Sequence, residues 1–240
     1  MANPFKDLNE LKRDVEVYLR KNRSSIYNNA KRISDFFEMA CYNNIVRFYE
    51  NNGYDVQIKN LLKNKFCYKC TTAGNPINYS YFEVTRKVGA IRFIFEIRHN
   101  INIQSYHTED TFTTPDICVL KPYSIREDET FYESKMKYYY AANKDLISFC
   151  EVKNFNPYPE LLFNFIGVVN ELKPNLLKKR TNCGLRHIAT TLMVSGKSNK
   201  HADRIIKNLQ LRYHINVLSD LFAIGGATFG RYATNRLKTV

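Results

Sequence analysis

Two short apolar runs in this chain carry charged side chains where a buried strand would not ordinarily hold them. One is Leu146-Ile-Ser-Phe-Cys-Glu-Val-Lys-Asn-Phe155, and the other is Thr114-Pro-Asp-Ile-Cys-Val-Leu120. Both are rich in strand-favouring residues. In a strand, Glu151 and Lys153 project to one side while Cys150 and Val152 project to the other. Asp116 then needs only a neighbouring strand to bring its carboxylate beside Glu151. Two carboxylates held close raise each other's pKa unless a divalent cation lies between them, and a hard, oxygen-liganded Mg2+ suits that place. Lys153, a mobile ammonium beside it, would orient or help deprotonate a water and steady charge on a phosphoryl oxygen. Together these parts suit metal-dependent hydrolysis of a phosphodiester.

Pro115-Asp116 followed by Glu151-Val152-Lys153 resembles the PD-(D/E)xK nuclease superfamily, the fold of many restriction endonucleases and of DNA repair and defence nucleases. The tripeptide also occurs as Glu10-Leu-Lys12, Glu133-Ser-Lys135 and Glu171-Leu-Lys173, but only Glu151 lies inside an apolar strand-like run. Pro115-Asp116 is the only Pro-Asp pair in the chain. The resemblance implies an α/β, restriction-endonuclease-like core with a central mixed sheet flanked by helices. It further implies Asp116 and Glu151 as metal ligands, the Val152 carbonyl as a third, and Lys153 as the group that positions water. Mg2+ would be the cofactor, with Mn2+ able to substitute, and the reaction would be endonucleolytic cleavage of DNA. Phe37-Glu38-Met39, followed by Gly53-Tyr54-Asp55-Val56, is similar to the opening helix of many such nucleases, whose glutamate often reaches the metal. Glu38 is the matching position, and Glu50 is its competitor nearer the helix end.

The elements that must position these groups follow from periodicity. Residues 4–21 read as an amphipathic helix, an N-terminal extension over 1–23. A second helix runs from an N-cap at Ser24 or Ser25 to Asn52, stopped by Asn51-Asn-Gly53. Strands are expected over 79–85 and 90–103, with Glu96 and Arg98 as a surface ion pair. His107 lies in the segment leading to Asp116 and should sit near the site. Residues 121–145 form a polar, aromatic insertion whose Tyr138-Tyr-Tyr140 could stack on bases or pack as a short helix. A helix from Pro159 to Leu172, a strand over 187–195, a helix over 199–211 and a strand over 214–218 complete the pattern of parallel crossovers. The nuclease-like domain thus spans 24–220, and 221–240 reads as a basic, glycine-marked flexible tail. Segment 55–88 is the least readable. Its Cys67-Tyr-Lys-Cys70 has the spacing of half a zinc site without a partner motif.

Charge bears on the partner. The chain has 36 Lys and Arg against 23 Asp and Glu. From Glu171 to Val240 there are thirteen basic residues against three acidic ones. Such a field attracts polyanions, nucleic acid first and an anionic membrane surface second. DNA is expected ahead of RNA. No transmembrane run or secretory leader is visible, and the cysteines read as cytoplasmic thiols. A nucleic-acid-binding protein of the same fold that does not cut, and an RNA-processing nuclease, are the alternatives. A homodimer is expected by analogy, since a duplex has two strands to cut.

Overall fold

The computed structural model describes residues 8–27, 32–129, 137–178, 185–222 and 228–240. Four α-helices are described: α1 (Leu8–Lys21), α2 (Ile33–Asn51), α3 (Pro159–Leu172) and α4 (Lys200–Arg212). The first strands are β1 (Asp55–Lys59), β2 (Tyr81–Val88), β3 (Ile91–His99), β4 (Asn102–Gln104), β5 (Phe112–Thr113) and β6 (Ile117–Leu120). The others are β7 (Ile125–Asp128), β8 (Tyr138–Ala141), β9 (Leu146–Lys153), β10 (Thr191–Val194) and β11 (Asn216–Leu218).

Seven strands form a mixed sheet in the order β1-β2-β3-β6-β9-β10-β11, and β5-β4-β8-β7 form a smaller one. From β1 to β9 neighbours are antiparallel, whereas β9, β10 and β11 are parallel. The parallel part follows from the connections: α3 links β9 to β10 and α4 links β10 to β11, each long enough to cross back over the sheet. The chain is therefore α/β with a central mixed sheet. No helix among the described residues is long and apolar enough to cross a membrane.

Each face of the main sheet has its own core. On one, α2 packs over Val84, Ile97, Val119, Cys150 and Val152. The opposite face packs Phe149, Leu192 and Val194 against Leu162 and Phe165 of α3 and Ile206 of α4. Alternation in β9 decides this, since Cys150 and Val152 go one way and Phe149 the other. Leu11, Val15, Tyr18 and Leu19 of α1, at helical spacing, are buried in the same core as α2. The N-terminal helix is thus an integral layer over α2, and α2 is buried on most sides, Asp35, Asn43 and Asn44 included, because it lies between α1 and the sheet.

Several expectations need correction. Helix α2 begins at Ile33, not after Ser24 or Ser25. Its N-cap is Arg32, whose N–H donates to Asp35 Oδ2 at 3.1 Å. The serines are held elsewhere: the Ser24 N–H donates to Leu19 O at 2.9 Å, and Ile26 bridges Phe66, which draws the chain out extended. The strand expected over 90–103 breaks at Asn100 (φ 51°), so that 102–104 leaves for the second sheet. Within 121–145 the described residues form β7, β8 and a 3-10 turn at Asn143–Asp145; the tyrosine run is strand β8 and not a helix, and Tyr138 and Tyr140 pack on Phe112. The ion pair of Glu96 and Arg98 exists at 2.6 Å, but it is buried, with the guanidinium over the Tyr81 ring.

Residues 228–240 are not a loose tail. Phe229, Leu237 and Val240 are buried, and the Val240 N–H donates to His187 O at 2.9 Å. His187 itself lies among Tyr49, Tyr54 and Phe95, with Nδ1 at 3.2 Å from the Tyr49 hydroxyl. Burial, then the nearby Arg86 charge, pushes its pKa down to about 4. The unfolded chain protonates this histidine near pH 6.5, so between there and pH 4 it binds more protons than the folded chain. Stability then falls as pH falls, by about 3 kcal/mol at the bottom of that window. Urea midpoints should drop from neutral pH to about pH 4.5 in wild type, and the drop should be smaller in His187→Phe.

Candidate active site

The register of β6 and β9 sets Ile117 opposite Cys150. Asp116, one residue before β6, consequently lies beside the last turn of the ladder, next to Glu151 and Val152. Its Oδ2 accepts the Val152 N–H at 2.6 Å and the Lys153 ammonium at 2.9 Å. Lys153 Nζ also lies 2.8 Å from Glu151 Oε2, so one ammonium bridges two carboxylates. The N–H and C=O of a strand residue point to the same lateral edge. The Val152 carbonyl is therefore directed toward Asp116, beyond the end of β6.

Beyond Lys153 the chain is locked to the end of β10. The Ser195 N–H donates to Lys153 O at 3.1 Å, and the Gly196 N–H donates to Phe155 O at 2.9 Å. A Cβ at Gly196 would lie 2.8 Å from both Phe155 O and Asn156 Cα. Glycine is what permits this approach, and the approach holds Lys153 in place.

Burial governs the electrostatics. It pushes the Glu151 carboxyl up to about 7, with the neighbouring Asp116 charge adding to the effect and Lys153 opposing it. Asp116 is likewise raised by burial, against the pull of Lys153. For Lys153 burial acts downward, but Glu151 and Asp116 outweigh it and hold the ammonium above the usual lysine range. Lys153 is thus an ammonium in this arrangement.

Glu38 reaches the same cluster from α2. Its Oε1 accepts from Asn100 Nδ2 at 2.7 Å and lies 2.6 Å from His99 Nε2. The histidine nitrogen is within ion-pair distance but off the line of a good hydrogen bond. Burial raises the Glu38 pKa, yet His99, Asn100 and Lys153 together bring it below the usual glutamate value. The charges of Asp116 and Glu151 feel that of Glu38, whose own contacts are His99 and Asn100, while Asp116, Glu151 and Lys153 touch one another.

Other candidates fall outside it. Glu50 pairs with Lys21 at 3.2 Å. His107 lies at the end of α3, its Nε2–H donating to Asn170 O at 2.9 Å, because its loop belongs to the second sheet. Cys67 and Cys70 are in no disulfide, and among the described residues no three His, Cys, Asp or Glu side chains have the spacing of a metal centre. Cys183 lies outside the described residues.

Three residues at the site were not singled out from sequence: His99, Asn100 and Lys69. The nearly inaccessible Lys69 ammonium donates to the carbonyls of Thr71, Thr72 and Asn100 at 2.6, 2.9 and 2.8 Å. Burial lowers its pKa to about 8. The available signal was Arg98-His-Asn100 at the end of an alternating strand, since asparagine tolerates the left-handed turn that ends one.

The donor set fits a hard divalent ion. Asp116, Glu151 and the Val152 carbonyl offer oxygen only, and burial together with their mutual repulsion raises the Glu151 carboxyl pKa, a cost that a cation beside it offsets. Mg2+ binds through one or two carboxylates while keeping several waters. Comparison with protein-family models, with curated proteins and with solved structures returned no significant match.

Proposed function

We propose that this chain is a metal-dependent phosphodiester hydrolase. Within that class, we read it as an endonuclease with a restriction-endonuclease-like core, acting on DNA ahead of RNA. The observation that carries the reading is the meeting of Asp116, Glu151 and Lys153 on two adjacent strands, with Glu38 arriving from the covering helix. Asp116, Glu151 and the Val152 carbonyl would hold Mg2+, with Mn2+ able to replace it. The bound ion supplies Lewis acidity toward water and toward a phosphoryl oxygen. Lys153, whose ammonium lies beside both carboxylates, would direct its charge at the scissile phosphate and steady the developing negative charge. Glu38, kept ionised by His99 and Asn100, orients the attacking water.

A polyanionic substrate suits the surface of α4, where Lys200, Arg204 and Lys207 are exposed along one side. Free buried thiols at Cys41, Cys118 and Cys150 accord with a cytoplasmic location. Cutting both strands of a duplex calls for two sites, so a homodimer on DNA belongs to this reading, and sedimentation showing only monomer with and without DNA would count against it.

The decisive experiment is cleavage of duplex DNA, single-stranded DNA and RNA by wild type, Asp116→Ala and Lys153→Ala, each with Mg2+, Mn2+ or EDTA. Metal-dependent cutting by wild type, lost in both folded variants, is the expected result, and it also names the preferred polymer. Binding without cutting under every condition would favour a non-cleaving nucleic-acid-binding protein. Cutting retained in both variants would place the active site elsewhere.

A further inference from the structure

Asn100 stands at a junction of three parts of the chain that are far apart in sequence. Its backbone N–H donates to Asp116 O at 3.0 Å. Its side-chain amide donates to Glu38 Oε1 and to Lys69 O, both at 2.7 Å. Its carbonyl accepts the Lys69 ammonium at 2.8 Å. We propose that Asn100 is a positioning residue that sets the Glu38 carboxylate relative to Asp116, with Lys69 as the anchor behind it. This deepens the nuclease reading and rests on it for the catalytic consequence.

The residue type fits the task on three counts. Asparagine takes a φ of 51° more readily than other residues with a side chain, which lets the strand end abruptly and turn its amide inward. A carboxamide offers two N–H donors, and both are directed to acceptors here. An aspartate of the same shape would instead set a second negative charge against Glu38. The anchoring also accounts for Cys67-Tyr-Lys-Cys70 without a metal. Cys67 is pinned through its backbone to Ser80, and Tyr68 donates to Asn43 Oδ1 at 2.7 Å. Lys69 is left facing the junction, where its ammonium closes the strap on Asn100. The segment supplies a strap under Glu38.

Asn100→Gly isolates the side chain, because glycine adopts the same φ without strain and keeps both backbone bonds. Two readouts are taken: kcat and KM on the preferred polymer, and the Glu38 carboxyl 13C resonance in metal-free protein. We expect kcat to fall roughly 10- to 100-fold with KM within about twofold, as for other outer partners of a metal site. The Glu38 resonance should move, and Asn100→Gly should cost nothing more in a Glu38→Gln background. Unchanged kcat and an unmoved resonance in the folded variant would overturn the proposal. So would an equal loss in the Glu38→Gln background, since Asn100 would then act by another route. If wild type cuts no polymer, the nuclease reading fails on its own, and the Glu38 resonance alone decides the positioning role.

Discussion

Lys153→Met should abolish cleavage and, without divalent ions near pH 8, destabilise the fold by about 2–3 kcal/mol. Both effects have one origin. The ammonium lies 2.9 Å from Asp116 Oδ2 and 2.8 Å from Glu151 Oε2, and its removal leaves two largely buried carboxylates facing each other. Breaking a buried pair costs about 3–5 kcal/mol, and the partial exposure of Lys153 discounts that here. The rate loss should be at least about a thousandfold, the scale for removing a group aimed at developing negative charge. Two conditions should restore stability without restoring activity. Near pH 6 Glu151 takes up a proton, and with Mg2+ a cation again sits between the carboxylates. Thermal melts of wild type and variant at both pH values, with and without Mg2+, check this. Equal destabilisation throughout would mean that the side chain matters for packing and not for charge.

Glu151→Gln should act in the opposite sense on stability while also eliminating cleavage. The folded carboxyl titrates near 7, against an ordinary value of 4.5. Between those values the folded chain holds a proton that the unfolded chain has released, so stability falls as pH rises through this window. Ionised and without metal near pH 8, Glu151 costs on the order of 3 kcal/mol. The pKa near 7 already includes the attraction of Lys153, so glutamine removes that net cost. The gain should be on the order of 3 kcal/mol near pH 8 and vanish near pH 5. Urea unfolding of the metal-free proteins at the two pH values measures it, and a variant less stable than wild type near pH 8 would refute the account.

Much of this arrangement was determined by local sequence. Alternation placed Glu151 and Lys153 on one side of β9 and Cys150 and Val152 on the other, because side-chain direction in a strand depends only on parity. Helical spacing and end signals marked α3, α4 and the stop of α2 at Gly53, since those depend on residues within a turn or two. The succession from β9 to β11 then left parallel crossovers as the natural connection. Tertiary structure decided which distant segments meet. Ser24 or Ser25 could have capped α2, but Ser24 is tied to Leu19, and pairing of Ser25 and Ile26 with Phe66 draws the chain out straight. The run from Ile91 to Ile103 is apolar enough for one long strand. It breaks at Asn100 because that residue is held by Glu38, Lys69 and Asp116, none of them a sequence neighbour. The last residues looked like a basic tail until Phe229, Leu237 and Val240 found apolar surface to cover. Periodicity states which element a segment can form. Which charges lose their water, and which partner then compensates them, depends on non-local packing, and the properties of Lys153, Glu38 and Lys69 follow from that.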